Sequence, residues 1–206
     1  MDEANRIKEF TDSPHIIDVY DAFDEHNTCY YVMEYIEGCT LEEYVEQTET
    51  RTLKEEEALK IISQVASALD IMHQNHMNHL DVKPSNIMID EDNDNRAVLI
   101  DFGSAHLFRE DKTNETSLLL VRSRGFTPPE IQGLRKFSPT VDIYSLGATL
   151  YYTLVGDTPS ATNDLQNEAC PDDISDTTWN AIRQAMHLNP NERPQSISEF
   201  IKLLNL

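Results

Sequence analysis

The spacing of hydrophobic positions separates a short β region at the start of the chain from a longer helical region. Apolar residues dominate 16–23 and 29–36, and the polar residues 24–27 lie between them. Both runs are rich in β-branched and aromatic residues, which are typical of strands. The pattern predicts an antiparallel hairpin, and it predicts a short helix over residues 2–10.

From residue 40 onward the apolar positions follow a helical period. Thr40, with Glu43 three residues later, has the pattern of a helix start. Residues 53–73 place apolar side chains on one face of a longer helix. Two short apolar runs, 87–89 and 97–100, flank a polar turn and predict a second hairpin.

The second half of the chain is predicted to be mainly helical. Residues 141–155 are apolar almost all round, which is typical of a helix in the middle of a core. Amphipathic helices are predicted near 175–188 and 195–204, and residues 104–127 are predicted to form a long loop. A small β part followed by a large helical part predicts an α+β fold.

Composition narrows the classes of function. The 206 residues include 16 Lys and Arg and 37 Asp and Glu, and a net charge of −21 disfavours nucleic-acid binding. No apolar run approaches the length of a membrane span, and the first residues lack the pattern of a secretory signal. Three cysteines without metal-ligand spacing disfavour a disulfide scaffold or zinc module. These features predict a cytoplasmic protein.

The candidate chemistry lies in residues 79–86, His-Leu-Asp-Val-Lys-Pro-Ser-Asn, and in residues 101–103, Asp-Phe-Gly. The catalytic loop of protein kinases reads His-Arg-Asp, four residues, Asn, and their metal-binding motif is Asp-Phe-Gly. Because the order, the spacing and the intervening hairpin match, the chain resembles the eukaryotic-like Ser/Thr protein kinases. The resemblance implies a kinase-like α+β fold, with a partial N-lobe and hinge strand over 1–36 and a complete helical C-lobe over 37–206.

The resemblance also implies a role for each residue of these motifs. Asp81 would accept the proton of the attacking hydroxyl, and Lys83 would neutralise the transferring phosphoryl group. Asn86 and Asp101 would hold Mg²⁺ on the phosphates of ATP. Asp101 is the first residue of the Asp-Phe-Gly motif, which Phe102 and Gly103 complete. A lysine at position 83 resembles Ser/Thr kinases rather than tyrosine kinases, which implies a protein substrate with a Ser or Thr hydroxyl.

Residues 31–38 resemble the linker between the two kinase lobes. Met33 would then lie behind the adenine of ATP, and the backbone of Glu34 and Ile36 would pair with the adenine edge. Taken alone, this segment fits an ordinary buried strand better than a nucleotide-binding linker.

Residues with implied structural roles extend the resemblance toward the end of the chain. Ser123 falls where Ser/Thr kinases carry a hydroxyl that contacts the catalytic loop. Glu130 ends a Pro-Pro-Glu motif where the family usually has Ala-Pro-Glu, and it is expected to pair with Arg193. Asp142 is expected to hold the backbone of the catalytic loop.

The sequence contains neither the Gly-x-Gly-x-x-Gly loop nor the Val-Ala-Ile-Lys strand of a kinase N-lobe. Glu3 is the candidate for the helix glutamate that pairs with that lysine. We expect that Met1 is an internal methionine of a longer gene, because the catalytic residues downstream are intact. The alternative is a degenerate kinase that binds or scaffolds.

A small-molecule kinase of the aminoglycoside-phosphotransferase type is a third possibility, since it shares His-x-Asp, four residues, Asn. Lys83, the Pro-Pro-Glu motif and Asp142 instead resemble the machinery that handles a peptide substrate.

Leu80 stands where many kinases carry an arginine that pairs with a phosphorylated activation loop. Because leucine cannot bind phosphate, we predict that phosphorylation of Thr113, Thr116 or Ser117 is not required for activity through that contact. Phosphate-free full-length protein should therefore be active in a transfer assay. The prediction fails if that preparation is inactive and regains activity when the loop is phosphorylated.

Overall fold

A computed structural model of the chain describes residues 13–26, 28–107, 123–131, 137–160 and 165–206. The helix predicted over residues 2–10 lies outside the described residues. So do Glu3 and the candidate phosphorylation positions Thr113, Thr116 and Ser117.

The first predicted hairpin is confirmed. It consists of β1 (Val19–Glu25) and β2 (Thr28–Met33), antiparallel, with Val19 opposite Met33 and Glu25 opposite Thr28. The second strand ends at Met33, three residues earlier than predicted, although the Glu34 N–H still donates at 2.8 Å to the carbonyl of Asp18, the residue directly before β1. Most of the hairpin is solvent-exposed, including the apolar side chains of Tyr20, Phe23, Tyr30, Tyr31, Val32 and Met33.

The helical period begins where the sequence predicted it. After β3 (Gly38–Thr40), helix α1 (Leu41–Glu46) starts with Thr40 as its N-cap. The Thr40 hydroxyl accepts the Glu43 N–H at 3.2 Å, and the Glu43 carboxylate accepts the Thr40 N–H at 2.8 Å. This reciprocal capping box satisfies two backbone donors that helix geometry leaves without a partner.

The long helix predicted over residues 53–73 is α2 (Glu55–Gln74), and its apolar face is buried. Short strands follow it: β4 (Met77–Asn78), β5 (Ile87–Asp90), β6 (Arg96–Leu99) and β7 (His106–Leu107). The second predicted hairpin, formed by β5 and β6, is confirmed, and β3 adds to it in the order β3-β5-β6. The pair β4–β7 was not predicted from the sequence.

The sheet topology brings the two candidate motifs to one place. Residues 79–86 lead into β5, and residues 101–103 follow β6. Since β5 and β6 are antiparallel, with Ile87 opposite Leu99, the start of one strand lies beside the end of the other. The Ile100 N–H donates to the Asn86 carbonyl at 2.9 Å, so both motifs lie at the same end of the hairpin.

The centre of the core is α3 (Thr140–Val155), in which 14 of 16 residues are buried, as the sequence predicted. Helix α4 (Asp176–Ala185) packs against α3, and helix α5 (Ile197–Leu203) packs against α2 and α4. Gly147 allows α4 to approach closely, because a Cβ there would lie 2.7 Å from the Ala185 Cβ. Trp179 on α4 is buried, and its ring centroid lies 5.9 Å from that of Tyr151 on α3.

No helix in the part of the chain that the structure describes combines the length and the apolar character needed to cross a bilayer.

Candidate active site

The buried carboxylate of Asp142, on α3, holds the start of the loop 79–86. Its Oδ2 accepts the His79 N–H at 2.9 Å, and its Oδ1 accepts the Leu80 N–H at 2.8 Å. The His73 Nε2 lies 2.8 Å from the same Oδ2. Asp142 has no solvent exposure, and a carboxylate is tolerated in such a position only with partners of this kind. The loop is therefore fixed against the central helix.

Both carboxylate oxygens of Asp81 accept hydrogen bonds from neighbouring side chains. Its Oδ2 accepts from the Lys83 Nζ at 2.6 Å and from the Asn86 Nδ2 at 2.9 Å. Its Oδ1 accepts from the Ser123 hydroxyl at 2.6 Å, and Lys83 also donates to Ser123 at 3.1 Å. The structure thus brings together three residues of the loop and a serine from a distant part of the sequence.

The orientation of the Asn86 amide follows from its partners. Its nitrogen lies 2.8 Å from the Asp81 carbonyl and 2.9 Å from the Asp81 Oδ2, and both of those oxygens can only accept. The amide oxygen of Asn86 is therefore the side-chain atom that remains for a cation.

The residues 101–103 adopt a tight turn beside this loop. Asp101 has a left-handed backbone with φ of 61°, its side chain is exposed, and its Oδ1 accepts the Gly103 N–H at 3.2 Å. Phe102 is buried and packs edge-on against His79, with ring centroids 5.1 Å apart. An exposed carboxylate and a buried ring on adjacent residues show that the turn separates a solvent-facing group from a packing group.

His79 connects the loop to the segment that carries Asp101. Its Nε2 lies 3.1 Å from the Ile100 carbonyl, and its Nδ1 lies 3.3 Å from the Asp81 N–H. A carbonyl can only accept and an N–H can only donate, so these partners assign the proton to Nε2. Burial lowers the pKa of His79 below its usual range, although the Asp142 carboxylate acts in the opposite direction. A neutral imidazole in this tautomer satisfies both contacts.

Leu80 lies in a small apolar cluster of its own. The cluster contains Leu80, Ile131, Phe137 and Val141 and is separate from the main core. Leu80 also has a positive φ of 67°, which is a strained conformation for a residue other than glycine. The sequence motif identified this position only as a missing arginine, because the three partners lie far from it in the sequence.

The linker residues lie at the exposed end of the first hairpin. Met33 is 46% exposed and Tyr35 is 83% exposed, whereas Ile36 is buried. The Glu34 carboxylate accepts from the Arg96 Nη2 at 2.6 Å. Among the described residues, neither the Glu34 carbonyl nor the Ile36 N–H has a hydrogen-bond partner. Those two groups are therefore available to a ligand.

Glu130 and Arg193 form a bidentate ion pair, with N···O distances of 2.6 and 2.9 Å. Arg193 is 3% exposed, and its guanidinium donates to the carbonyls of His187 and Thr140 and lies 4.9 Å from the centre of the Tyr144 ring. The pair fastens the turn at 129–131 to the helical part of the fold.

The protein kinase domain model matches residues 1–205. The chain belongs to the protein kinase family. This match confirms the resemblance and the fold class that the motifs predicted.

Three relatives of this kinase domain are named protein kinases, and two of them are named serine/threonine-protein kinases. It is 36% identical over 148 residues to serine/threonine-protein kinase PrkC of Bacillus subtilis, which covers 72% of this chain and 22% of the relative. It is 30% identical over 202 residues to a probable serine/threonine-protein kinase of Clostridium perfringens, covering 92% and 29%. It is 29% identical over 186 residues to SNF1-related protein kinase catalytic subunit alpha KIN12 of Arabidopsis thaliana, covering 90% and 34%. The chain thus spans a minor part of each relative.

Proposed function

We propose that this kinase domain transfers the γ-phosphate of ATP to a Ser or Thr hydroxyl of a protein. The observation that carries the proposal is the arrangement around Asp81, in which Lys83, Asn86 and Ser123 all donate to one carboxylate. Phosphoryl transfer depends mainly on positioning and on charge stabilisation, and a loop held by a buried carboxylate supplies the positioning.

Each of the side chains around Asp81 has a proposed role in phosphoryl transfer. Asp81 accepts the proton of the substrate hydroxyl and orients its oxygen for attack. Lys83 carries a positive charge beside the base and neutralises charge on the transferring group. The Ser123 hydroxyl contacts both, which supports a role in holding them in register for a peptide substrate. The contact between Ser123 and Lys83 thus favours a protein substrate over an aminoglycoside.

Asn86 and Asp101 fit a magnesium ion. The amide oxygen of Asn86 is left available by the contacts of its nitrogen, and Asp101 presents an exposed carboxylate. Hard oxygen donors of this kind suit Mg²⁺, which retains much of its water and binds phosphate oxygens. When bound, Mg²⁺ would neutralise charge on the phosphates of ATP.

The adenine of ATP is proposed to bind at the linker between the lobes. The Glu34 carbonyl would accept from the adenine edge and the Ile36 N–H would donate to it, with Met33 behind the ring. Support comes from the absence of other hydrogen-bond partners for these two groups among the described residues. Phe102 and Gly103 would complete the nucleotide site next to Asp101. The proposed lobe boundary lies between residues 36 and 37.

The cytoplasm is the proposed location. Cys39 and Cys170 are free thiols, which agrees with a reducing compartment. The net charge of −21 supports the proposal that nucleic acid is not a partner.

A transfer assay with γ-labelled ATP tests the function in the full-length protein. The acceptors are casein, the protein itself and an aminoglycoside, and Asp101→Asn serves as the inactive variant. We expect magnesium-dependent label on protein from the parent and none from Asp101→Asn. Label on the aminoglycoside alone, or equal rates for parent and variant, would contradict the proposal. Magnesium-dependent ATP binding without turnover would favour an interaction module instead.

A further inference from the structure

A single guanidinium joins three segments of the chain near the proposed adenine site. Arg96, the first residue of β6, donates through Nε and Nη2 to the Asp90 carboxylate at 3.1 and 2.8 Å. Its Nη2 also donates to the Glu34 carboxylate at 2.6 Å, and its Nη1 to the Pro14 carbonyl at 3.1 Å. Arg96 therefore ties the linker and the segment before β1 to the β5–β6 hairpin.

The three charged side chains are largely shielded from water. The side chains of Arg96 and Glu34 are each 22% exposed, and that of Asp90 is 4% exposed. Burial alone would lower the pKa of Arg96, but its hydrogen bonds with Glu34 and Asp90 outweigh burial and raise it. Burial alone would raise the pKa of Asp90, but hydrogen bonds from Asn93 and Arg96 lower it. Both shifts favour the charged forms of Arg96 and Asp90.

The planar fork of an arginine suits this cluster better than a lysine would. Arg96 serves two carboxylates and a carbonyl from different directions, and a single ammonium cannot reproduce that geometry. Asp90 and Arg96 are opposite each other in the β5–β6 hairpin. Their contact fixes the guanidinium independently of its contact with Glu34. The arginine is thus preorganised to receive the linker.

The linker is exposed on both sides of Glu34. The residues on either side of Glu34, Met33 and Tyr35, are 46% and 83% exposed. The Glu34 N–H donates to the Asp18 carbonyl, so both the side chain and the N–H of Glu34 are held while its carbonyl remains available. The contact with Arg96 and the hydrogen bond to Asp18 together determine the position of that carbonyl.

We infer that Arg96 is a positioning residue for nucleotide binding, which acts by holding Glu34 and thereby the adenine-binding edge of the linker. The inference rests on the proposed function, because it assigns adenine to this edge. Arg96 touches neither the nucleotide nor the reacting atoms in this proposal. Its effect should therefore appear in the affinity for the base and leave the binding of the protein substrate unchanged.

The test compares adenosine and ATP binding by full-length variants. Glu34→Ala removes the linker carboxylate but leaves the Arg96–Asp90 pair, and Arg96→Lys retains a charge for Asp90 but loses the fork. We expect each change to weaken adenosine and ATP binding by the same factor, about three- to tenfold, because a linker that is no longer preorganised must be ordered on binding. For nucleotide binding, the double variant should be little worse than either single variant, since both changes remove the Arg96–Glu34 contact.

Lys60→Ala is the matched control. Lys60, on α2, pairs at 2.8 Å with Asp94, which lies in the turn of the same β5–β6 hairpin. Both side chains are substantially exposed. This change should leave adenosine and ATP binding unaltered. In steady-state assays, Glu34→Ala and Arg96→Lys should raise the KM for ATP without changing the KM for the protein substrate.

Two results would overturn the inference alone, and a third would overturn it together with the proposed function. Unchanged nucleotide binding in both variants, with a parent that binds adenosine, would overturn the inference and leave the proposed function intact. Weaker binding of ATP but not adenosine would also overturn it, because the effect would then act through the phosphates. If Arg96→Lys fails to fold, Glu34→Ala alone decides the question. A parent that binds neither adenosine nor ATP would overturn the proposed function and this inference together.

Discussion

Asp81→Asn is expected to lower phosphoryl transfer by the full-length protein by about 10²–10⁴-fold, the range for loss of a positioned general base. Asparagine has nearly the same shape but cannot accept the proton of the substrate hydroxyl. Its amide nitrogen would also face Ser123, Lys83 or Asn86, which all donate to the present carboxylate. Both effects act on the chemical step, so ATP binding should be retained.

The measurement is the initial rate of label transfer from ATP to casein, together with the affinity for ATP. Asp94→Asn is the matched control, because Asp94 is an exposed aspartate in the turn of the second hairpin. The control should keep the parent rate. A parent-like rate for Asp81→Asn would remove Asp81 from the proposed chemistry.

Arg193→Ala is expected to destabilise the fold by about 3–5 kcal/mol, as for other buried ion pairs that lose one partner. The change leaves Glu130 without its bidentate partner and removes the donors to the His187 and Thr140 carbonyls. For a chain of this size the midpoint of thermal unfolding should fall by roughly 6–20 °C. Circular dichroism during heating would measure it.

Arg51→Ala is the control for this experiment. Arg51 is exposed, and its replacement should change the free energy of unfolding by no more than about 0.5 kcal/mol. Replacing Arg193 by methionine and Glu130 by leucine together should recover much of the lost stability, because no buried charge then lacks a partner. Equal stability of Arg193→Ala and the parent would show that the pair does not hold the turn at 129–131.

Local sequence patterns predicted the elements that local interactions build. The capping box at Thr40 needs only residues three positions apart, and the burial of α3 follows from its own apolar composition. The pair β4–β7 contributes two residues from each strand and joins distant parts of the chain, so it has no local signal.

In the candidate site, too, local contacts could be predicted from the sequence and long-range contacts could not. The spacing of the loop motif predicted that Asp81, Lys83 and Asn86 lie together. The Arg96–Asp90 contact was also open to prediction, because opposite charges face each other across a predicted hairpin. The contact of Arg96 with Glu34 and the packing of Leu80 join residues more than fifty positions apart, and only the three-dimensional structure reveals them.

Trp179 gives the helical part of this kinase domain its own optical signal. It is the only tryptophan in the sequence, it is 2% exposed, and its indole N–H donates to the Glu168 carbonyl. A shielded indole emits at shorter wavelength than one in water, so a red shift of the emission marks exposure of α4. Because none of the residues proposed to contact the nucleotide is a tryptophan, fluorescence can follow unfolding of the helices without labelling the protein.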